Sequence, residues 1–152
     1  MHLLSELARS CMHARRLQLQ AQLEGRQALL FSGGYLGRNY AANPFAYRAS
    51  SHFLYFVGVG LPNACFLSSP TGDILFLEPQ SAGDILWHGQ KPTLEELSVK
   101  LGLMVKPLSS LSEWSVNDAL TIPGVNAETR GVQTHLLGRC IEQRISGADL
   151  GL

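Results

Sequence analysis

Between Asn63 and Leu77 the chain has few conformations open to it. Two apolar runs, Asn63–Ser68 and Asp73–Leu77, flank Ser69-Pro70-Thr71-Gly72. Proline presets the backbone angle that starts a tight turn, glycine tolerates the angles that finish it, and serine bonds back to its own backbone. Runs of this kind on either side of a strong turn predict an antiparallel hairpin. The remaining segments must therefore extend and cover a sheet.

Ala28-Leu29-Leu30-Phe31-Ser32 is a short unbroken apolar run before Gly33-Gly34, as expected of a buried strand ending in a tight turn. Leu103–Pro107 reads as another strand. Ala119–Ile122 is a last strand candidate, closed by Pro123-Gly124. Phe53–Val57 fits either a strand or a turn of helix, since periodicity does not separate the two.

His2–Leu23 carries Leu3, Leu7, Cys11, Ala14, Leu17 and Ala21 three or four apart. That is one stripe of an amphipathic helix, with Arg9, Arg15, Arg16, Gln18 and Gln22 mostly off it and Gly25 as a stop. Ser81-Ala-Gly-Asp84 caps a short helix running to about Trp87. Thr93-Leu-Glu-Glu96 is a capping box for a helix that Gly102 ends, and Ser110-Leu-Ser-Glu113 is a second box opening a helix towards Asp118. Asn126 caps a final helix with Val132, Leu136, Leu137, Cys140, Ile141 and Ile145, ended by Gly147. Strands and helices alternate irregularly, which predicts an α/β fold: a mixed sheet flanked by helices, in one domain spanning residues 1–152.

The 152 residues are enough for a real core, and the 12 Lys+Arg against 12 Asp+Glu leave no basic field to gather nucleic acid or an anionic membrane. No apolar run approaches the ~20 residues of a membrane span. Glu6 interrupts the N-terminal apolar residues, and Arg15-Arg16 is followed by Leu-Gln-Leu-Gln, too polar for a twin-arginine export signal. Cys11, Cys65 and Cys140 are odd in number, far apart and set among apolar neighbours, the pattern of free buried thiols in a reducing compartment. These features predict a cytoplasmic protein.

The five histidines form no HxxH or HExxH pair, and Asp73, Asp84, Asp118 and Asp149 are scattered. Neither a zinc site nor a two-metal carboxylate cluster is readable. No GxSxG elbow or phosphate-binding glycine loop is present. An independent hydrolase built on a Cys or Ser nucleophile has no sequence signature here.

The segment Tyr35–Gly58 holds all four tyrosines and three of the six phenylalanines, with two isolated arginines, Arg38 and Arg48. A loop this aromatic either packs under something or presents a surface to something. Asn43-Pro44 keeps part of it extended. Arg38 and Arg48 can serve salt bridges and loop carbonyls, or a ligand. Trp87, followed by His88 and Gly89, suits a pocket wall or interface anchor as well as a cover for the sheet edge. His52 reads as a neutral, hydrogen-bonded, partly buried histidine.

In order and spacing, Arg15-Arg16-Leu17, Arg38-Asn39, Tyr47-Arg48-Ala-Ser-Ser-His52-Phe-Leu-Tyr55-Phe-Val-Gly58 and Asp84-Ile-Leu-Trp87-His88-Gly89 resemble one family. Thr121-Ile-Pro and Leu136-Leu-Gly-Arg139 add to the likeness, which covers nearly the whole chain. The family is the N-terminal domain of aminopeptidase P, the Xaa-Pro aminopeptidases of the creatinase and prolidase superfamily.

The resemblance implies a mixed sheet of about six strands in a ribonuclease H-like arrangement, followed in the parent by a catalytic "pita-bread" domain. That domain is expected to hold two Mn²⁺ ions through two Asp, one His and two Glu, none of them within these 152 residues. It would remove the N-terminal residue from peptides with proline second. The N-terminal domain would shape the substrate cleft and support a homo-oligomer. Trp87 matches an aromatic directed at a neighbour's pocket, and Arg38, Tyr40, Arg48, His52 and His88 are the other cleft or interface candidates. Where some members carry acidic residues, this chain has Ala41 and His52. The alternative is a free-standing peptide- or protein-binding module of the same fold.

Overall fold

The computed structural model describes residues 5–141. Helix α1 (Glu6–Leu23) leads into strand β1 (Ala28–Phe31), and a long loop follows to helix α2 (Ser51–Val57). Strands β2 (Cys65–Ser69) and β3 (Gly72–Leu77) come next, then helices α3 (Ala82–His88) and α4 (Leu94–Leu101) and strand β4 (Met104–Pro107). A 3-10 turn (Leu108–Glu113) and helix α5 (Ala127–Leu137) complete the described chain.

The expected hairpin forms, with Ser69 opposite Gly72 and only Pro70 and Thr71 between them. Sheet order is β1-β2-β3-β4, antiparallel for the first two pairs and parallel for β3 with β4. The parallel pair needs a crossover, supplied by α3 and α4. The sheet is thus mixed, as the sequence predicts, but among the described residues it has four strands rather than about six. Phe53–Val57 belongs to α2. Leu120 makes a single bridge to Ala28. Beyond it, the side chain of Gln133 takes the Ile122 carbonyl (2.8 Å), the Thr121 hydroxyl (3.0 Å) and the Gly124 N–H (2.8 Å). With Ile122 and Gly124 bonded to that amide, the bridge at Leu120 does not extend into a strand.

Both faces of the sheet are buried. One packs Leu29, Phe31, Cys65, Leu67 and Phe76 against Leu111, Val116, Leu137 and Ile141. The other packs Leu30, Phe66 and Leu75 against Phe53, Val57, Leu101 and Leu103. Three layers result, explaining why β1 reads as an unbroken apolar run.

Three further expectations are corrected. In α1 the stripe is turned outward: Leu7, Cys11, Ala14, Leu17 and Ala21 are exposed, while Arg16 and Leu23 are buried and Leu19 packs on the core. The Arg16 guanidinium faces inward because it meets Asp73 and the carbonyl of Phe56 there. Ser110-Leu-Ser-Glu113 lies in the 3-10 turn instead of capping a helix; the Ser110 hydroxyl donates back to the Pro107 carbonyl at 2.7 Å. Helix α5 stops at Gly138, in the left-handed region at φ 64°, short of Ile145 and Gly147, which lie outside the described residues. The capping boxes at Ser81 and Thr93 form as expected.

Of the cysteines, Cys65 is buried, but Cys11 and Cys140 are exposed, so the expectation of three buried thiols fails for two. Cys11 rides on the outward stripe. No helix among the described residues is long and apolar enough to cross a membrane.

Candidate functional site

The loop between β1 and α2 is a built structure rather than a slack connection. Leu36 and Phe45 are tied by a backbone bond (2.8 Å), Arg38 N–H donates to Asn43 O (2.9 Å), and Asn43 N–H donates to Tyr40 O (3.0 Å). Gly37 and Pro44 form an antiparallel bridge. The Asn43 side chain braces the tip by donating to Asn39 Oδ1 at 3.0 Å. A methyl group on Gly37 would sit 3.2 Å from the Tyr40 carbonyl oxygen, so the narrow waist suits glycine. The result is a tongue, Gly33–Ala49, standing out from the sheet's end.

Its base is anchored from both sides. The Ser50 hydroxyl donates to Phe31 O (2.7 Å), Ser50 N–H donates to Ser32 O (2.9 Å), and Asn63 N–H donates to Gly33 O (2.9 Å). Tyr47 packs against the α1–α2 face of the core, and its ring lies 5.3 Å from that of Tyr35. Burial pushes the Tyr47 phenol above its ordinary pKa. Beyond this base, Tyr35, Leu36, Tyr40 and Phe45 are exposed, Tyr40 by 62%.

The candidate residues separate into three places. Arg38 and Tyr40 share the tongue. The Arg38 guanidinium lies over the Phe45 ring, 5.0 Å from its centroid, and no carboxylate or carbonyl among the described residues takes its N–H donors. Neither of the partners expected from sequence, a salt bridge or a loop carbonyl, is used. Arg48 is exposed near the end of the tongue, one residue before Ala49, and Ala41 is exposed at the tip. His52 sits in the first turn of α2, half-buried, where burial lowers its pKa and favours the neutral ring; among the described residues its ring has no hydrogen-bond partner, contrary to expectation. Trp87 and His88 lie in the last turn of α3, with His88 exposed. Around them Ile85 and Leu86 are exposed, the latter by 80%.

Two residues that the sequence reading placed on the outer face of α1 organise the tongue's far support. Arg15 donates to Tyr55 O (3.1 Å) and stacks on the Tyr55 ring (4.2 Å), and Arg16 donates to Phe56 O (3.0 Å). Cations thus close the C-terminal carbonyls of α2, where the backbone has no partners of its own. The adjacent arginines Arg15-Arg16 were the signal available in sequence, but only the fold reveals their target.

A second feature lies on the opposite sheet face. A cavity of about 500 Å³ between the 3-10 turn and α5 is lined by Leu108, Trp114, Val116 and Leu136, with Glu78 and His135. Arg38, Tyr40, Arg48, His52 and His88 are not among its lining residues.

Among the described residues no three His, Cys, Asp or Glu side chains converge, so the groups present do not fit a metal site. The tongue and α3 offer recognition groups: aromatic faces, guanidinium donors and apolar knobs.

A sequence model of the family described as "Aminopeptidase P, N-terminal domain" matches residues 12–119. No curated protein matches the chain significantly. Among solved structures, aminopeptidase P from Escherichia coli in its low-pH form aligns with a TM-score of 0.69 at 24% identity, over 88% of this chain and 33% of its own. Pseudomonas aeruginosa aminopeptidase PepP aligns with a TM-score of 0.71 at 20% identity, over 86% of this chain and 32% of its own. The zinc-substituted Escherichia coli enzyme in complex with product gives 0.68 at 24%, over 88% and 33%. At these identities the structural likeness speaks for the fold. The chain spans about a third of the length of the structures it matches.

Proposed function

Since the chain belongs to the family of aminopeptidase P N-terminal domains, we propose that it is the non-catalytic N-terminal domain of a Xaa-Pro aminopeptidase-like metallopeptidase. The observation that carries this reading is the family match over most of the chain. Coverage of one third of the aligned enzymes supports a metallopeptidase domain joined in cis.

In that setting the catalytic domain would hold two manganese ions and remove the N-terminal residue ahead of proline. The residues of this chain would supply no bond-breaking group. They would form the rim, the tongue presenting Arg38, Tyr40 and Arg48, and α3 presenting Trp87 and His88 towards the cleft of the same or a neighbouring subunit. The outward apolar stripe of α1 would serve contacts within a cytoplasmic homo-oligomer.

The test is direct. The purified chain, given an Xaa-Pro peptide with and without Mn²⁺, should release no amino acid. Manganese-dependent release would overturn the reading. The coding sequence after Leu152 should continue into a domain with two Asp, one His and two Glu as metal ligands; a stop codon there would favour the alternative. That alternative, a free-standing peptide- or protein-binding module, draws on the exposed rings of the braced tongue.

A further inference from the structure

We infer that the tongue Gly33–Ala49 docks a peptide segment bearing carboxylate side chains, gripped by Arg38 and Arg48 beside the exposed rings of Tyr40 and Phe45. The inference rests on the reading of the tongue as a peptide-facing rim and names the class of peptide it selects.

Charge is the first argument. The chain as a whole is neutral, yet from Gly25 to Gly72 it has no Asp or Glu, while Arg26, Arg38 and Arg48 fall within that span. Arg26 is used locally, its Nε donating to Leu23 O at 3.2 Å. Arg38 and Arg48 have no acidic partner among the described residues; the ion pair found there is Arg16 with Asp73. The tongue is therefore a locally cationic surface with no internal counter-charge.

Geometry is the second. A guanidinium held over a ring can still offer N–H donors to a ligand, and among the described residues no carboxylate or carbonyl takes those of Arg38. A carboxylate accepts two such donors in one plane. An exposed ion pair by itself contributes little. Arg38 differs because Phe45 already restrains it, and the backbone bonds of the tongue fix where that pair stands. Less freedom is lost on binding when the donor is held in advance. Tyr40 and Phe45 add rings against which a peptide's apolar atoms can lie.

Two cations on one short tongue fit a peptide better than a nucleic acid. Phosphate backbones are held by an extended basic stripe, which a chain with 12 Lys+Arg and 12 Asp+Glu does not display by composition.

Titration calorimetry on the full chain, with the peptides Ala-Pro-Phe-Glu-Glu-Ala and Ala-Pro-Phe-Lys-Lys-Ala as probes, tests the inference. The glutamate peptide should bind about tenfold tighter, and the preference should shrink as salt screens the pairing. R38E and R48E should each erase most of the preference. R38K, which keeps the charge but loses the fork, should fall between wild type and R38E. Circular dichroism of each variant guards against unfolding.

Equal affinity for the two peptides would overturn the inference while leaving the rim reading intact, because that reading needs no charge preference. No binding of either peptide, unchanged binding by R38E, or tighter binding of a short single-stranded DNA would also overturn it. The assay requires no catalysis, so its outcome is independent of the peptidase test.

Discussion

The Arg16 guanidinium approaches the Asp73 carboxylate to 3.6 Å beneath the surface, their side chains only 3% and 11% exposed. This pair fastens α1 to the start of β3. Asp73 also accepts from Gln20 (2.9 Å) and from the Ser68 hydroxyl (2.8 Å), so its oxygens are well supplied. Burial pulls the pKa of Arg16 down and the Asp73 charge pulls it back up. Removing one partner strands the other in a poorly solvated site. Asp73→Ala should therefore cost about 3–5 kcal/mol in urea unfolding. Arg16→Met, which keeps the stem, should cost less, and the double variant less than the sum. Additive losses would show that the two charges do not interact.

Gln133 is fully buried and bonds through both ends of its amide. Gln133→Leu keeps the volume but leaves the Ile122 carbonyl and Gly124 N–H without partners. A loss of about 1–3 kcal/mol is expected, with faster amide exchange at Gly124. Unchanged exchange there would show that the segment holds without the glutamine.

The three thiols should react very differently. Cys65 lies in β2, and burial pushes its pKa up to about 12. Cys11 stands exposed on α1. A disulfide reagent at neutral pH should label Cys11 within minutes and reach Cys65 only in denaturant, because the thiolate is the reactive form. Rapid labelling of Cys65 in the native protein would contradict the packing of β2.

His52 predicts a pH dependence. Burial lowers its pKa below the ordinary 6.5, so the unfolded chain binds the proton more readily than the folded one. Its contribution is intact above about pH 7 and is lost as pH falls through the folded pKa. Urea midpoints should drop between about pH 7.5 and 5.5, and less steeply in His52→Gln. An identical slope in the variant would place the titrating group elsewhere.

What the sequence disclosed was local. The turn at Pro70, the capping boxes at Ser81 and Thr93 and the stop at Gly102 each depend on residues within four positions of one another, and each forms. One local signal failed, the box at Ser110, whose hydroxyl turns back to the Pro107 carbonyl; the other failures came where a distant partner decided. Periodicity made the stripe of Leu7 and Leu17 the inner face of α1, but Asp73 and the ends of α2 draw Arg15 and Arg16 inward instead. The segment after Ala119 has strand composition, yet Gln133 takes the backbone groups that would extend the sheet. Within the candidate site, the aromatic content of the tongue was readable; the placement of Arg38 on Phe45, and the absence of acids around it, required the folded loop.

The strand order β1-β2-β3-β4 follows the order of synthesis. Each strand joins an edge that is already present, and the β2–β3 hairpin closes across only two residues. Such short-range pairing keeps the entropic cost of the first contacts low. The sheet can therefore grow as the chain leaves the ribosome, with α5 closing over it last. The final strand, four residues ending in Lys106-Pro107, leaves a poor template for another chain while that closure is pending.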